Sequence, residues 1–111
     1  MSLDVSLVDP TSTYQTDDLY TANITHNLGT MADKANIYYA LWRPEEKGWK
    51  FAKDIIPILK DGLAELKRRP AYFEKFNSSN GWGLYENFVP FVEKYLEACE
   101  EYPEARIEVS R

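Results

Sequence analysis

The last third of the chain carries the pattern that most narrows its fold. Tyr85, Phe88, Val89, Val92, Tyr95, Leu96 and Cys99 recur at intervals of three or four residues, the repeat that lines one face of an α-helix. It predicts a helix from Leu84 to Tyr102, ended by Pro103. A face that wide must be buried, and one other segment offers a matching stripe. From Phe51 to Lys67, Ala52, Ile55, Ile56, Leu59, Leu63 and Leu66 follow the same spacing, with Pro57 marking a kink or a first turn. Phe88, Val92, Leu96 and Cys99 are therefore expected to pack on Ile55, Leu59 and Leu63. The two segments also echo each other. Asp54–Leu59 matches Asn87–Val92 33 residues later, and Leu63 matches Leu96. Two copies fall short of a solenoid, and the match reads as two convergent helices that share a Pro bend.

The rest of the chain is organised around this pair. Leu3 to Val8 alternates, with Leu3, Val5 and Leu7 on one face, and reads as a strand. Asp9–Thr13 is a turn-rich loop. Leu19–Ile24 has strand composition and is expected to pair antiparallel with the first strand. Thr25 is the expected N-cap of the first helix, with Asn23 as the competing choice. Leu28, Met31, Ala32 and Ala35 follow helical spacing. Asn36 tolerates a left-handed backbone and is expected to break the helix. Ile37–Trp42 then forms a second short piece before Pro44; a continuous helix to Leu41 is the alternative. Glu45–Gly48 reads as a charged loop, Pro70–Phe76 as a short helix and Asn77–Gly83 as a polar loop around Trp82. Ala105, Ile107 and Val109 alternate with Arg106, Glu108 and Ser110, a closing strand expected beside the first.

The 111 residues suit a single domain spanning 1–111, long enough to need no disulfide or metal staple. One cysteine, Cys99, allows no internal disulfide and fits a reducing cytoplasm. No apolar run approaches membrane-spanning length and no signal-peptide pattern is present. The net charge of −5 is uneven: −4 over residues 1–42, +3 over 43–75 and −4 over 76–111. An acidic total disfavours nonspecific nucleic-acid binding, although the basic middle third can meet an acidic partner.

The chemically expressive stretch is Asn23–Gly29. It holds the only histidine, His26, between Thr25 and Asn27. Imidazole is the side chain suited to general acid–base work near neutral pH. A helix N-terminus, however, favours the neutral ring, so His26 is expected to be a hydrogen-bonded organiser of the strand-to-helix turn. One His and one Cys do not make a zinc site. Cys99 sits on an apolar stripe beside Glu100, Glu101 and Glu104, the wrong surroundings for a reactive thiolate. Asp17–Asp18, Glu45–Glu46 and the Glu93, Glu97, Glu101 series read as solvated faces. A second cluster is Trp42–Arg43 with Asn80-Gly81-Trp82-Gly83, residue types enriched at binding hot spots. Its structural alternative has both Trp side chains closing the ends of the core, with Arg43 stacked on one of them.

Asn23-Ile24-Thr25-His26-Asn27-Leu28-Gly29, Ala40-Leu41-Trp42-Arg43-Pro44 and Asn80-Gly81-Trp82-Gly83 together resemble a family of small uncharacterised bacterial and phage-encoded proteins. The resemblance spans most of the chain from Tyr20 onward. It implies a cytoplasmic protein of mobile-element origin and brings no catalytic assignment. In that family a Gly tends to stand at the position of Asn36, in keeping with a break there.

The expected fold is α+β: a small, mainly helical domain with three main helices and a short antiparallel sheet from the N- and C-terminal strands. The leading function class is a non-enzymatic module that binds a protein or small ligand through Asn23, Thr25, His26, Asn27, Trp42, Arg43, Asn80 and Trp82, without cofactor, metal, membrane or nucleic acid, and compatible with a homo-oligomer. The alternative is a small hydrolase-like or transferase-like enzyme with His26 as general base. The two part on whether His26, Asn27, Arg43 and Trp82 converge on one open cavity.

Overall fold

The computed structural model describes residues 2–11 and 18–111. Strand β1 (Ser2–Val8) lies between β2 (Asp18–Thr25) and β3 (Arg106–Ser110) in an antiparallel sheet of order β2-β1-β3. Alternation sets the register. Leu3, Val5 and Leu7 face the helices together with Ile24, Ala22 and Tyr20 of β2, and Val5 and Leu7 pair with Val109 and Ile107 of β3. The opposite face carries Ser2, Asp4, Ser6, Thr21, Asn23 and Thr25, a polar surface left to water. In the loop after β1, the Asp9 carboxylate accepts from the amide and hydroxyl of Thr11, at 2.9 and 2.7 Å. Ser12 and Thr13, in the rest of the expected loop, and Asp17 lie outside the described residues.

From β2 the chain passes through a 3-10 turn, His26–Leu28, into α1 (Gly29–Lys34). The Thr25 hydroxyl accepts from the Asn27 amide at 3.3 Å, which makes Thr25 the cap and leaves Asn23 in the strand. Asn36 adopts φ 63° and ends the helix; α2 (Tyr38–Trp42) follows in a new direction. The segment expected as a charged loop is instead a 3-10 turn, Pro44–Lys47, closed by left-handed Gly48. Pro44 supplies a fixed φ at its first position, where no N–H is needed.

Helices α3 (Ala52–Arg68) and α5 (Tyr85–Glu101) flank the short α4 (Pro70–Glu74). The Asp54 carboxylate caps α3 by accepting from the Lys50 and Phe51 amides, each at 3.0 Å. Phe88, Val92, Leu96 and Cys99 of α5 are buried with Ile55 and Leu59 of α3, and Leu63 is packed against the same core. Leu96→Ala should cost about 2–5 kcal/mol through the cavity it leaves; an unchanged urea midpoint would remove Leu96 from that core.

The echo between the two helices is structural. Each has 17 residues, with Pro57 and Pro90 at the same position, and each follows a residue in extended conformation, Phe51 or Leu84. Both prolines are exposed and neither ends its helix. Lys60–Glu100 and Lys67–Glu93 bridge the pair at 3.3 and 3.0 Å, and a shift of 33 residues exchanges one bridge for the other. The α3–α5 pair thus has an approximate internal two-fold axis. Gly62 fits where this pair meets the Asn36 break. A Cβ there would stand 2.1 Å from Ile37 Cγ2 and 3.2 Å from the Ala35 carbonyl, so the close approach requires glycine.

Candidate functional site

An open groove of about 1010 Å³ lies where the C-terminal end of β2 meets the loop before α5. The 3-10 turn after β2 lines one wall with His26, Asn27 and Leu28; Gly81, Trp82 and Gly83 line the other, and Asn87 in the first turn of α5 contributes a side. Hydrogen bonds of the loop itself hold the second wall. Asn80 Oδ1 accepts from the Trp82 amide at 2.9 Å and from the Ser78 hydroxyl, and Asn77 Oδ1 accepts from the Tyr85 amide at 2.7 Å. The walls are joined by Asn27 Nδ2, which donates to the Trp82 carbonyl at 3.0 Å. Gly83 has φ 104°, and a Cβ there would meet Asn27 Cβ at 2.8 Å. Its backbone therefore seats against the turn in a way no other residue permits. The main chain of Trp82 is fixed from both sides while its indole stands 68% exposed at the rim.

His26 sits at the floor with both ring nitrogens engaged. Nε2 lies 2.7 Å from the Ser2 carbonyl, to which it donates, and Nδ1 accepts from the Trp42 indole N–H at 3.3 Å. A carbonyl on one side and an N–H donor on the other select the neutral Nε2–H tautomer. The ring ties β1, the turn and α2 together and has no nitrogen left to take a proton from a ligand. His26→Leu should therefore cost about 1–3 kcal/mol by stranding the Ser2 carbonyl and the Trp42 N–H. His26→Asn, which can still donate and accept, should retain more stability. Equal urea midpoints for the two variants would refute this role.

Of the residues singled out in the sequence, Asn23, Thr25, His26, Asn27 and Trp82 line the groove. Asn80 shapes its loop from behind. Trp42 lies beneath His26 and is buried. Arg43 points elsewhere: its Nε donates to the Tyr38 hydroxyl at 3.2 Å and its Nη1 pairs with Glu46 at 2.9 Å. Tyr38, and not Arg43, stacks on Trp42, with centroids 5.4 Å apart and planes 7° from parallel. Of the four residues on whose convergence the two function classes part, His26, Asn27 and Trp82 share the groove and Arg43 does not. Trp82 does not close the core.

Sequence reasoning missed Ser2 and Asn87. Ser2 carried no signal. Asn87 had one, because it occupies in α5 the place of the capping Asp54 in α3, where a neutral amide replaces the carboxylate.

Among the described residues the remaining titratable groups do not assemble a second centre. Burial, with a smaller push from Glu100, raises the Cys99 thiol to about 12, which keeps it protonated and inert. Tyr95 is buried with its hydroxyl unpartnered, and burial holds the phenol well above its ordinary range. Among the described residues no three His, Cys, Asp or Glu side chains are grouped to hold a metal ion, and no helix is long and apolar enough to cross a membrane. No family model, curated protein or solved structure matches the chain.

Proposed function

We propose that the protein is a non-enzymatic binding module whose ligand site is the groove beside Trp82. The observation that carries this reading is the combination of an indole 68% exposed with a lining free of Asp, Glu, Lys and Arg. An exposed Trp on a fixed backbone offers a large apolar contact at small entropic cost. Ser2, Asn23, Thr25 and Asn87 line the same groove with uncharged polar groups, the Asn23 amide being already given to the Asp4 carboxylate, and such a lining favours a neutral, hydrogen-bonding ligand. The engagement of both His26 nitrogens supports this reading over the alternative of an enzyme with His26 as general base. The lone buried thiol and the resemblance to small bacterial and phage-encoded proteins support a cytoplasmic setting.

The test is a ligand screen read by the Trp82 indole and the Asn23 and Asn87 side-chain amide resonances. Ligands should shift these signals. Trp82→Ala should weaken binding by about tenfold or more, the effect of a hot-spot aromatic, and leave the melting temperature unchanged, because only main-chain atoms of Trp82 hold the loop. Ligands whose affinity ignores Trp82→Ala would overturn the assignment. Turnover of any substrate that His26→Asn abolishes without loss of stability would restore the enzymatic reading.

A further inference from the structure

The groove exposes main chain as well as side chains. Asn23, Ile24 and Thr25 are consecutive in β2 and all three line it. Successive strand residues point to opposite faces, so a surface that touches three in a row wraps around the last residues of β2, with Ser2 of β1 in the same lining. β2 is an outer strand, and among the described residues no backbone group from Asp18 to Ile24 bonds beyond β1. Edge protection is confined to the start of the strand, where Asp18 is charged and the register shifts at a bulge by Leu19; the rest, Tyr-Thr-Ala-Asn-Ile-Thr, carries no charge, proline or bulge. The other edge differs: β3 is met by Lys50 and Phe51 and carries Arg106 and Glu108.

Charge narrows the occupant. A charged group brought into the groove would find no opposite charge there. Farther along the same edge the environment is acidic. Helix α5 packs against β2 there, with the Tyr20 ring stacked on Tyr95 at 6.0 Å; Glu97 follows Tyr95 by two residues and, after burial and Cys99, adds to the rise of the Tyr20 phenol. Glu97 is exposed. Glu93 and Glu100 of the same helix are held by Lys67 and Lys60, whereas Glu97 forms no ion pair among the described residues.

We propose that the edge of β2 takes an extended segment of a partner protein as a fourth strand, neutral where it passes under Trp82 and basic where it passes Glu97. This rests on the groove being a binding site and names its ligand class. Main-chain hydrogen bonds along β2 supply affinity and the side-chain pattern supplies selectivity. Tyr20, where α5 packs on the strand, and Ile24, in the groove, are four residues apart in β2, about 14 Å along the strand at about 3.4 Å per residue, which sets the spacing of the basic and neutral positions.

The probes are two blocked peptides of alternating Thr and Val, one with Lys at both ends and one with Glu at both ends, so that either strand direction is served. In an NMR titration the Lys peptide should shift the amides of residues 21–25 and the Trp82 indole. It should bind about threefold tighter than the Glu peptide, the scale of one exposed charge pair. Glu97→Lys lies on an exposed surface and should invert that preference with the fold intact. Equal affinities for the two peptides, or no shifts at about 1 mM, would overturn the proposal. So would sedimentation showing that the chain self-associates and that Thr21→Lys dissociates it, since the occupant would then be a second copy. Small ligands that depend on Trp82 while both peptides fail would refute the strand proposal alone; failure of both ligand classes would refute the groove as well.

Discussion

Trp42→Ala should lower the stability of the protein by about 3–5 kcal/mol, the range for truncating a large buried aromatic. The indole is 2% exposed. It stacks on Tyr38 at 5.4 Å and meets the edge of His26 at 6.1 Å, and its N–H is the donor that fixes the imidazole tautomer. Two losses are therefore combined, and Trp42→Phe separates them. Phenylalanine keeps much of the stacking and the apolar area, while it leaves His26 Nδ1 without its donor. Its expected cost is about 1–3 kcal/mol. Urea unfolding of the three chains should rank them wild type, Trp42→Phe, Trp42→Ala. If the two variants unfold together, packing of the indole is not what holds α2 against the turn.

Removing residues 105–111 should abolish cooperative unfolding altogether. β3 supplies all five residues that pair with β1 on that side. The same segment receives the Ala52 amide on the Ala105 carbonyl and donates the Ile107 amide to the Lys50 carbonyl, both at 2.9 Å. It therefore closes the sheet and anchors the start of α3 at once. Without it, Val5 and Leu7 lose their cover from Val109 and Ile107, and β1 and β2 remain as an isolated hairpin of marginal stability. Circular dichroism and amide dispersion should both report the collapse. A truncated chain that melts like the full one would show that the helices are stable without the terminal strand.

Much of the architecture was legible because its signals are periodic. The stripe on α5 and its match on α3 placed both helices to within a residue at each end, since a face that must be buried tolerates little phase error. Alternation in Leu3–Val8 and Ala105–Val109 identified the strands and their partnership. Asn36 announced its own left-handed backbone. The site was legible only in part, because grooves are made by segments distant in sequence. Asn27 and Trp82, 55 residues apart, were both noted for their residue types, yet nothing local said that one would bond the other. Arg43 was misplaced for a plain reason. Adjacency to Trp42 suggested a shared surface, but the next residue of a helix lies well around its axis, and Tyr38, one turn back, took the stacking position. Ser2 gains its meaning from a carbonyl that accepts from the His26 ring and Gly62 from the nearness of an isoleucine methyl, neither visible in a one-dimensional pattern.

The approximate two-fold relation between α3 and α5 carries a hazard that the chain has met with charge. Helices so alike in length, proline position and apolar phase can mistake one another, so that α3 of one molecule docks on α3 of the next. In such a mispairing the shift of 33 residues would set Lys60 against Lys67, and α5 on α5 would set Glu93 against Glu100. Only the pairing of α3 with α5 places each lysine opposite a glutamate. Exposed ion pairs add little to stability, but like charges in the same places repel. Charge at these four positions therefore favours α3 on α5 over either helix on its own copy.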